Sequence, residues 1–235
     1  MELFFTSDIQ GSKAIFGPDE SRHIAKAMRK RIGDPICFTN GQGILFQGIL
    51  ESESRKGMIV EITSSEAQTK NWRGTLIMAL APTKNFNRIE WAIERMIEMG
   101  IDEIVPLETE RSERKAWKMN RLQRIAISAL KQSQQFQLPV LHDPISFKSW
   151  VENARADVEY YIGHCEEGKK VPLKDIQVAE RNVCFCIGPE GDFSHTEIGM
   201  AVEQGMTAIS LGQNRLRTET AALKVATHFS VQNDM

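Results

Sequence analysis

The stretch from Val183 to Leu223 constrains the fold more than any other part of the chain. It holds two segments of one design, Val183-Cys-Phe-Cys-Ile-Gly-Pro-Glu-Gly-Asp-Phe-Ser194 and Ile209-Ser-Leu-Gly-Gln-Asn-Arg-Leu-Arg-Thr-Glu-Thr-Ala-Ala-Leu223. In each, a short apolar run ends at a glycine, passes through a polar turn and meets a helix start. Strands that alternate with helices build a mostly parallel sheet covered on both faces. Small ligands bind beyond the carboxyl ends of such strands, so a ligand held between these two turns is expected.

The upstream chain has the same rhythm from Gly74 onward. Strands are expected at Thr75–Leu80, Glu103–Leu107, Val158–Ile162, Val183–Ile187 and Thr207–Leu211, with a short one at Pro139–Leu141. Ile89, Ala92, Ile93, Met96 and Ile97 follow the helical period, with Asn85 or Asn87 as cap and Gly100 as stop. Asn120 is the expected cap of a helix facing inward through Leu122, Ile125, Ala126 and Ala129. Ser146 to Ala154 reads as a helix with Phe147, Trp150 and Val151 inward, and Ser194-His-Thr-Glu197 is a capping box. Residues 1–70 differ: one helix opened by Pro18-Asp-Glu, with Ile24, Ala27 and Met28 inward, among short strands. An Asn40-Gly41 hairpin signal joins two of these strands, and together they suggest a small β-barrel. The polar run Thr63–Arg73 is the expected boundary, which divides the chain into 1–70 and 71–235.

Composition narrows the class. At 235 residues, 41% hydrophobic and 26% charged, the chain has the make-up of a soluble globular protein. Apolar runs such as Leu76–Ala81 are too short to span a bilayer, and Met1–Phe5 lacks the features of a secretory signal, so a cytoplasmic protein without membrane contact is expected. Cys184 and Cys186 share one face of an apolar strand and read as buried small hydrophobes. His195 alone does not complete a ligand set with them, so no metal is expected. The net charge of −2 hides two basic clusters. Arg22, Lys26, Arg29, Lys30 and Arg31 form one, without an acid among residues 21–33. The other runs from Arg111 to Lys131, with seven cations against Glu113 alone. Local clusters of this kind suit phosphate contacts as well as solvated helix faces.

No P-loop, no Gly-x-Gly-x-x-Gly after the first strand and no Gly-x-Ser-x-Gly elbow occurs, which weighs against the NTPase, dinucleotide and hydrolase readings. What does occur is Ile187-Gly-Pro-Glu-Gly-Asp-Phe-Ser194 followed by Leu211-Gly-Gln-Asn-Arg-Leu-Arg-Thr-Glu-Thr-Ala-Ala-Leu223. This pair resembles the signature of the RsmE family, SPOUT-superfamily methyltransferases that make 3-methyluridine in 16S ribosomal RNA from S-adenosyl-L-methionine. The resemblance extends to His23–Arg29 with Gly33-Asp34, Pro82-Thr-Lys84, Glu98–Ile101, Glu110–Lys115 and Gln132-Ser133. Departures are Asp192 where the family often has a second glycine, Gln134-Gln-Phe136, and no arginine before Phe4.

The resemblance implies a PUA-like RNA-binding barrel before a SPOUT domain with a C-terminal trefoil knot, a homodimer, and 16S rRNA or the small ribosomal subunit as partner. It implies cofactor contacts at Ile187, Gly188, Pro189, Gly191, Leu211, Gly212, Leu216, Thr218, Thr220 and Ala221. RNA contacts are implied at His23, Arg29, Lys30, Arg31, Arg111, Arg114 and Lys115. Trp117 and Phe136 are candidates to stack on a base or to pack. Methylation at uridine N3 needs a proton removed and the charge on O2 and O4 stabilised. Arg217 suits the second task because it does not lose its own proton. Glu219 and Glu190 both suit the first, or the orientation of Arg217, and the residues do not choose between them. A methyltransferase of this fold acting on another RNA, and a non-catalytic RNA-binding member, stay open as alternatives.

Overall fold

A computed structural model describes residues 2–54, 57–113 and 116–233. The chain divides into two compact units, 1–70 with 127–138, and 71–126 with 139–235. The first unit carries β1 (Leu3–Phe5), β2 (Asp8–Gln10), β3 (Lys13–Phe16), helix α1 (Pro18–Arg22), β4 (Pro35–Thr39), β5 (Ile44–Ser54) and β6 (Gly57–Ala67). These strands form one sheet in the order β1-β4-β5-β6-β3-β2, antiparallel except for β1 against β4. Register shifts at Gln47/Gly48 and Leu50/Ser52 let the long β5–β6 pair twist and curl. The sheet closes over Phe4, Phe16, Ile24, Phe38, Phe46 and Leu50.

Two expectations need correction in this unit. Helix α1 runs into a π-helical turn, His23–Ala27, closed by Met28 N–H donating to the His23 carbonyl. The wider turn slips the helical face by one residue. Ala25 and Met28 therefore pack toward the core while Ala27 is exposed. The second correction is that β6 continues to Ala67, because Ser64–Ala67 pair with Ile44–Gln47, so the polar run expected from Thr63 is partly strand.

The second unit is built on β7 (Thr75–Leu80), α2 (Phe86–Glu98), β8 (Glu103–Glu108), α3 (Met119–Gln132), β9 (Val140–Leu141), β10 (Ile145–Ser146) and α4 (Phe147–Glu152). It continues with β11 (Glu159–Gly163), β12 (Val171–Pro172), β13 (Asn182–Ile187), α5 (His195–Glu203), β14 (Thr207–Ser210) and α6 (Thr218–Gln232). The latter half of α3 and the turn after it, 127–138, group with the first unit. Asn85 caps α2, and Ser194 with Glu197 makes the expected capping box on α5. Helix α3 starts at Met119, one residue before the expected cap Asn120.

All described pairings of this sheet are parallel, in the order β10-β8-β7-β13-β11-β14-β12 with β9 beside β8. Alternation along β13 sends Cys184 and Cys186 toward Phe147, Phe193 and Ala201, the layer of α4 and α5. Both cysteines are fully buried, as expected of small hydrophobes. Helix α6 covers the other face of β7 and β13 and packs beside α2. The chain thus leaves β13 and runs out through α5 to β14 near the sheet edge. It then comes back over the centre in α6, and the resemblance places the trefoil along this return.

Candidate active site

The carboxyl ends of β13, β11 and β14 lie side by side in the sheet, and the segments leaving them frame a cleft of about 700 Å³. Its walls are Ile187, Gly188, Pro189 and Glu190 from the first turn and Ile209 to Thr218 from the second, with Ala221 behind. Of the residues expected at a cofactor, Ile187, Gly188, Pro189, Leu211, Gly212, Leu216, Thr218 and Ala221 line this cleft. Gly191 does not, and Thr220 faces a neighbouring cleft.

The first turn is braced from several elements. Thr218 Oγ1 at the start of α6 donates to the Gly188 carbonyl at 2.9 Å. The Glu190 carboxylate accepts from the Lys84 amide, at 3.1 and 3.3 Å. Arg111 Nη1 donates to the carbonyls of Gly191 and Phe193, at 3.2 and 3.1 Å. Gly188 suits a tight packing here: a Cβ would press on the fully buried Phe193 ring at 3.1 Å and on the Phe193 nitrogen at 3.2 Å. Gly191 is packed differently, with the Arg111 stem 3.3 Å from where its Cβ would stand.

Asp192, the departure from the family pattern, has φ 65°, the left-handed region in which glycine is favoured and Asp is tolerated. Its carboxylate has two tasks a glycine cannot perform. Oδ1 accepts from the Phe193 amide at 2.8 Å, and Oδ2 accepts from the Cys165 amide at 2.7 Å. The substitution therefore costs little in backbone strain and ties the turn to the end of β11.

That end of β11 is the part of the site that sequence reasoning missed. Gly163, His164, Cys165 and Lys170 all line the cleft, because β11 lies between β13 and β14. The signal was present, since Val158–Ile162 followed by Gly163-His164 repeats the strand–glycine–polar pattern of the other two ends. Lys170 Nζ donates to the His164 carbonyl at 2.8 Å. The His164 ring has Nδ1 shielded from solvent without a partner among the described residues. Burial, and then the nearby Lys170 charge, hold its pKa below the usual histidine range.

The three residues proposed for the chemistry are placed differently. Arg217 is exposed at the N-cap of α6, lines both clefts, and has no ionic partner among the described residues. Glu219 is buried in the first turn of α6. Its Oε1 faces Arg88 Nε at 3.8 Å, so an Arg217–Glu219 ion pair is not what the helix start forms. Glu219 Oε2 is buried with no hydrogen-bond partner among the described residues. Glu190, by contrast, has both oxygens directed to the Lys84 amide.

The expected RNA contacts separate as well. His23, Arg29 and Arg31 are exposed on or beside the π-turn, and Lys30 Nζ donates to the Pro35 carbonyl. Arg111 spends its guanidinium on the first turn, while Arg114 and Lys115 lie outside the described residues. Trp117 packs edge-on against Phe86 at 5.5 Å, and Phe136 is half-buried. Among the described residues no cluster suited to a metal ion is found.

A family model for the RNA methyltransferase domain matches residues 70–230, and one for the RNA methyltransferase PUA domain matches residues 16–63. The ribosomal RNA small subunit methyltransferase E of Mesomycoplasma hyopneumoniae is 29% identical over 97% of this chain and 98% of its own length. A crystal structure of a probable rRNA-methyltransferase from Porphyromonas gingivalis has a TM-score of 0.93 at 36% identity, covering 100% of this chain and 99% of that one. A putative methyltransferase of Legionella pneumophila, solved with S-adenosylmethionine bound, has a TM-score of 0.86 at 26% identity, covering 98% and 97%. The expected architecture of a PUA-like unit followed by an α/β SPOUT fold is therefore present, and the chain belongs to the RsmE family of RNA methyltransferases.

Proposed function

We propose that this protein transfers a methyl group from S-adenosylmethionine to N3 of a uridine in 16S ribosomal RNA. The observation that carries the reading is a cleft of nucleoside size at three strand ends with an unpaired Arg217 on its rim. The cleft fits the cofactor chemically. Ile187, Ile209, Leu211 and Leu216 offer apolar walls for a flat ring, while the turns offer backbone groups where Gly188 and Gly212 carry no side chain. When bound, the cofactor supplies a methyl group on a sulfonium whose leaving sulfur keeps the carbon–sulfur electron pair.

The chain's own residues do the rest. Arg217 reaches from the cofactor cleft into the neighbouring one and stabilises the negative charge that develops on the base carbonyls. Thr218 locks the start of α6 onto the Gly188 carbonyl and so fixes Arg217 relative to the first turn. Glu190 holds the turn to Lys84. Because N3 lies in the pairing edge, the target uridine must be unpaired or turned out of its helix. His23, Arg29, Lys30 and Arg31 of the first unit contact RNA phosphates in this reading, which rests on their exposure and charge. Action as a homodimer is what the resemblance implies, and sizing by light scattering tests it; the cytoplasm is the proposed compartment because the proposed substrate is ribosomal RNA.

The function is tested by mass spectrometry of 16S rRNA from a deletion strain. Loss of 3-methyluridine, restored by the purified protein with S-adenosylmethionine, is the expected result. An unchanged level overturns the uridine assignment, and no calorimetric binding of S-adenosylmethionine overturns the methyltransferase reading.

A further inference from the structure

A second cleft adjoins the cofactor cleft in the same unit. It is lined by Arg88 and Trp91 of α2 and by Arg215, Leu216, Arg217 and Glu219. Arg215, Leu216 and Arg217 line both clefts, so these three residues form a wall between them. Trp91 is 50% exposed, an unusual state for an indole on a helix whose inward stripe runs Ile89, Ala92, Ile93, Met96 and Ile97. Glu219 is the reverse. It is 93% buried, on 7% relative exposure, yet it lines the cleft and keeps Oε2 without a partner among the described residues. A buried carboxylate oxygen with no donor is costly unless a ligand supplies one.

We propose that this cleft is the target-base subsite, with Trp91 stacking on the base and Glu219 flanked by arginines reading the pairing edge of uracil. The inference rests on the uridine-methylation reading above and specifies where that base sits. Uracil presents acceptor, donor, acceptor along O2, N3–H and O4. Guanidinium, carboxylate, guanidinium is its complement, and Arg88, Glu219 and Arg215 or Arg217 provide those groups around one cleft. Cytosine places an amino group where uracil has O4 and carries no proton on N3, so it leaves Glu219 unsatisfied and sets donor against donor. The indole offers the π-face that sequence-tolerant base stacking uses. On methyl transfer the N3 proton passes to Glu219 Oε2, N3 uses the pair so freed to bond the methyl carbon, and the sulfur leaves neutral. Glu190 lines the cofactor cleft and not this one, and its carboxylate accepts from the Lys84 amide.

The experiment uses the full chain and small-subunit particles from the deletion strain, with methylation kinetics at several pH values, cofactor calorimetry and light scattering for each variant. Trp91→Ala is expected to raise KM for the particle by roughly tenfold and leave cofactor affinity in place. Glu219→Gln is expected to lower kcat by about 100-fold. That deficit narrows as pH rises, because a growing share of uridine N3 has already lost its proton. Arg88→Ala supplies the second probe if Glu219→Gln does not fold, with loss in kcat/KM and an unchanged cofactor Kd. A particle carrying cytidine at the methylated position is expected not to compete. Wild-type kinetics from Trp91→Ala overturns the subsite, as does a Glu219→Gln deficit constant with pH, or a loss explained by a changed oligomer. An inactive wild-type protein overturns the methylation reading instead.

Discussion

The turn at 188–193 is tied down along its length by four other segments, whereas the turn at 211–217 is tied only near its two ends, at Leu211–Gly212 and where Thr218 follows it. Thr218, Lys84, Arg111 and Cys165 each exchange a hydrogen bond with the first turn, and Phe193 fills the space beneath Gly188. In the second turn, Lys224 Nζ donates to the Leu211 carbonyl at 2.6 Å and the Gly212 amide donates to Ser210 Oγ. Beyond these, Gly212 to Arg215 and Arg217 are exposed. Two turns of the same sequence design therefore have different mechanical roles. The first is a preset wall, and the second is the side able to adjust when a ligand enters, since opening draws on the least cross-braced segments.

The largest expected effect concerns Arg217, which lines both clefts and is proposed to meet the developing charge. Arg217→Ala should cost kcat about 10² to 10³, the cost of removing a donor aimed at developing charge. Folding and cofactor affinity should be retained, because Arg217 makes no ionic contact among the described residues. Methylation kinetics with circular dichroism checks this, and turnover within a few-fold of wild type removes the assigned role.

Gly188→Ala attacks the preset wall directly. Its methyl group would stand 3.1 Å from the fully buried Phe193 ring and 3.2 Å from the Phe193 backbone nitrogen, which must shift by a few tenths of an ångström to admit it, so a destabilisation of about 1–3 kcal/mol is expected. Cofactor affinity should fall by more than tenfold as the turn shifts, read by denaturant melts and calorimetry on the same samples. Arg111→Ala and Lys224→Met then make the contrast quantitative. The first releases two carbonyls of the braced turn and should weaken cofactor binding by roughly fivefold to tenfold. The second releases one carbonyl of the less braced turn and should change it less. Equal losses from the two variants would show that the turns are not mechanically distinct.

How far the sequence announced all this follows the same line between local and non-local. Thr75–Leu80 as a strand and the Ser194/Glu197 box were legible because alternation with glycine stops and cap spacing are local signals. The π-turn at His23–Ala27 was not, since a widened turn leaves no distinct periodicity in five residues, and Ala27 was turned inward in error. The two glycine turns were legible as a site, but the third wall at Gly163–Cys165 depended on β11 lying between β13 and β14, a fact of sheet order alone. Arg111, expected at RNA, also braces the first turn, a role no local signal announces because its partner carbonyls lie 80 and 82 residues away. Trp91 stood off the apolar stripe of α2 in plain view, a signal that was passed over. The return of α6 over the sheet has no local signature, because threading is a property of the whole path.

The smallest effect tests whether the third wall belongs with the more or the less braced turn. His164 lies on that wall, facing Lys170 from its own loop, Asp192 from the braced turn and Glu166 nearby. Burial acts first and Lys170 second to lower its pKa below 6.5, outweighing the two carboxylates. The ring is therefore neutral at physiological pH in the folded protein. The unfolded chain takes up the proton first as pH falls below 6.5, so folded stability declines there and levels off once the folded-state pKa is passed. A cationic cofactor in the cleft opposes that protonation further, so its affinity should hold as pH falls past 6.5 and weaken only at the lower pH where folded-state His164 takes up its proton. His164→Gln should remove the dependence. Because Asp192 links this wall to the braced turn through Cys165, Asp192→Asn should let His164 lose its proton more readily and shift the fall in affinity to lower pH. Calorimetry from pH 6.5 downward reads both, and an acid-side loss that persists in His164→Gln would assign it to another group.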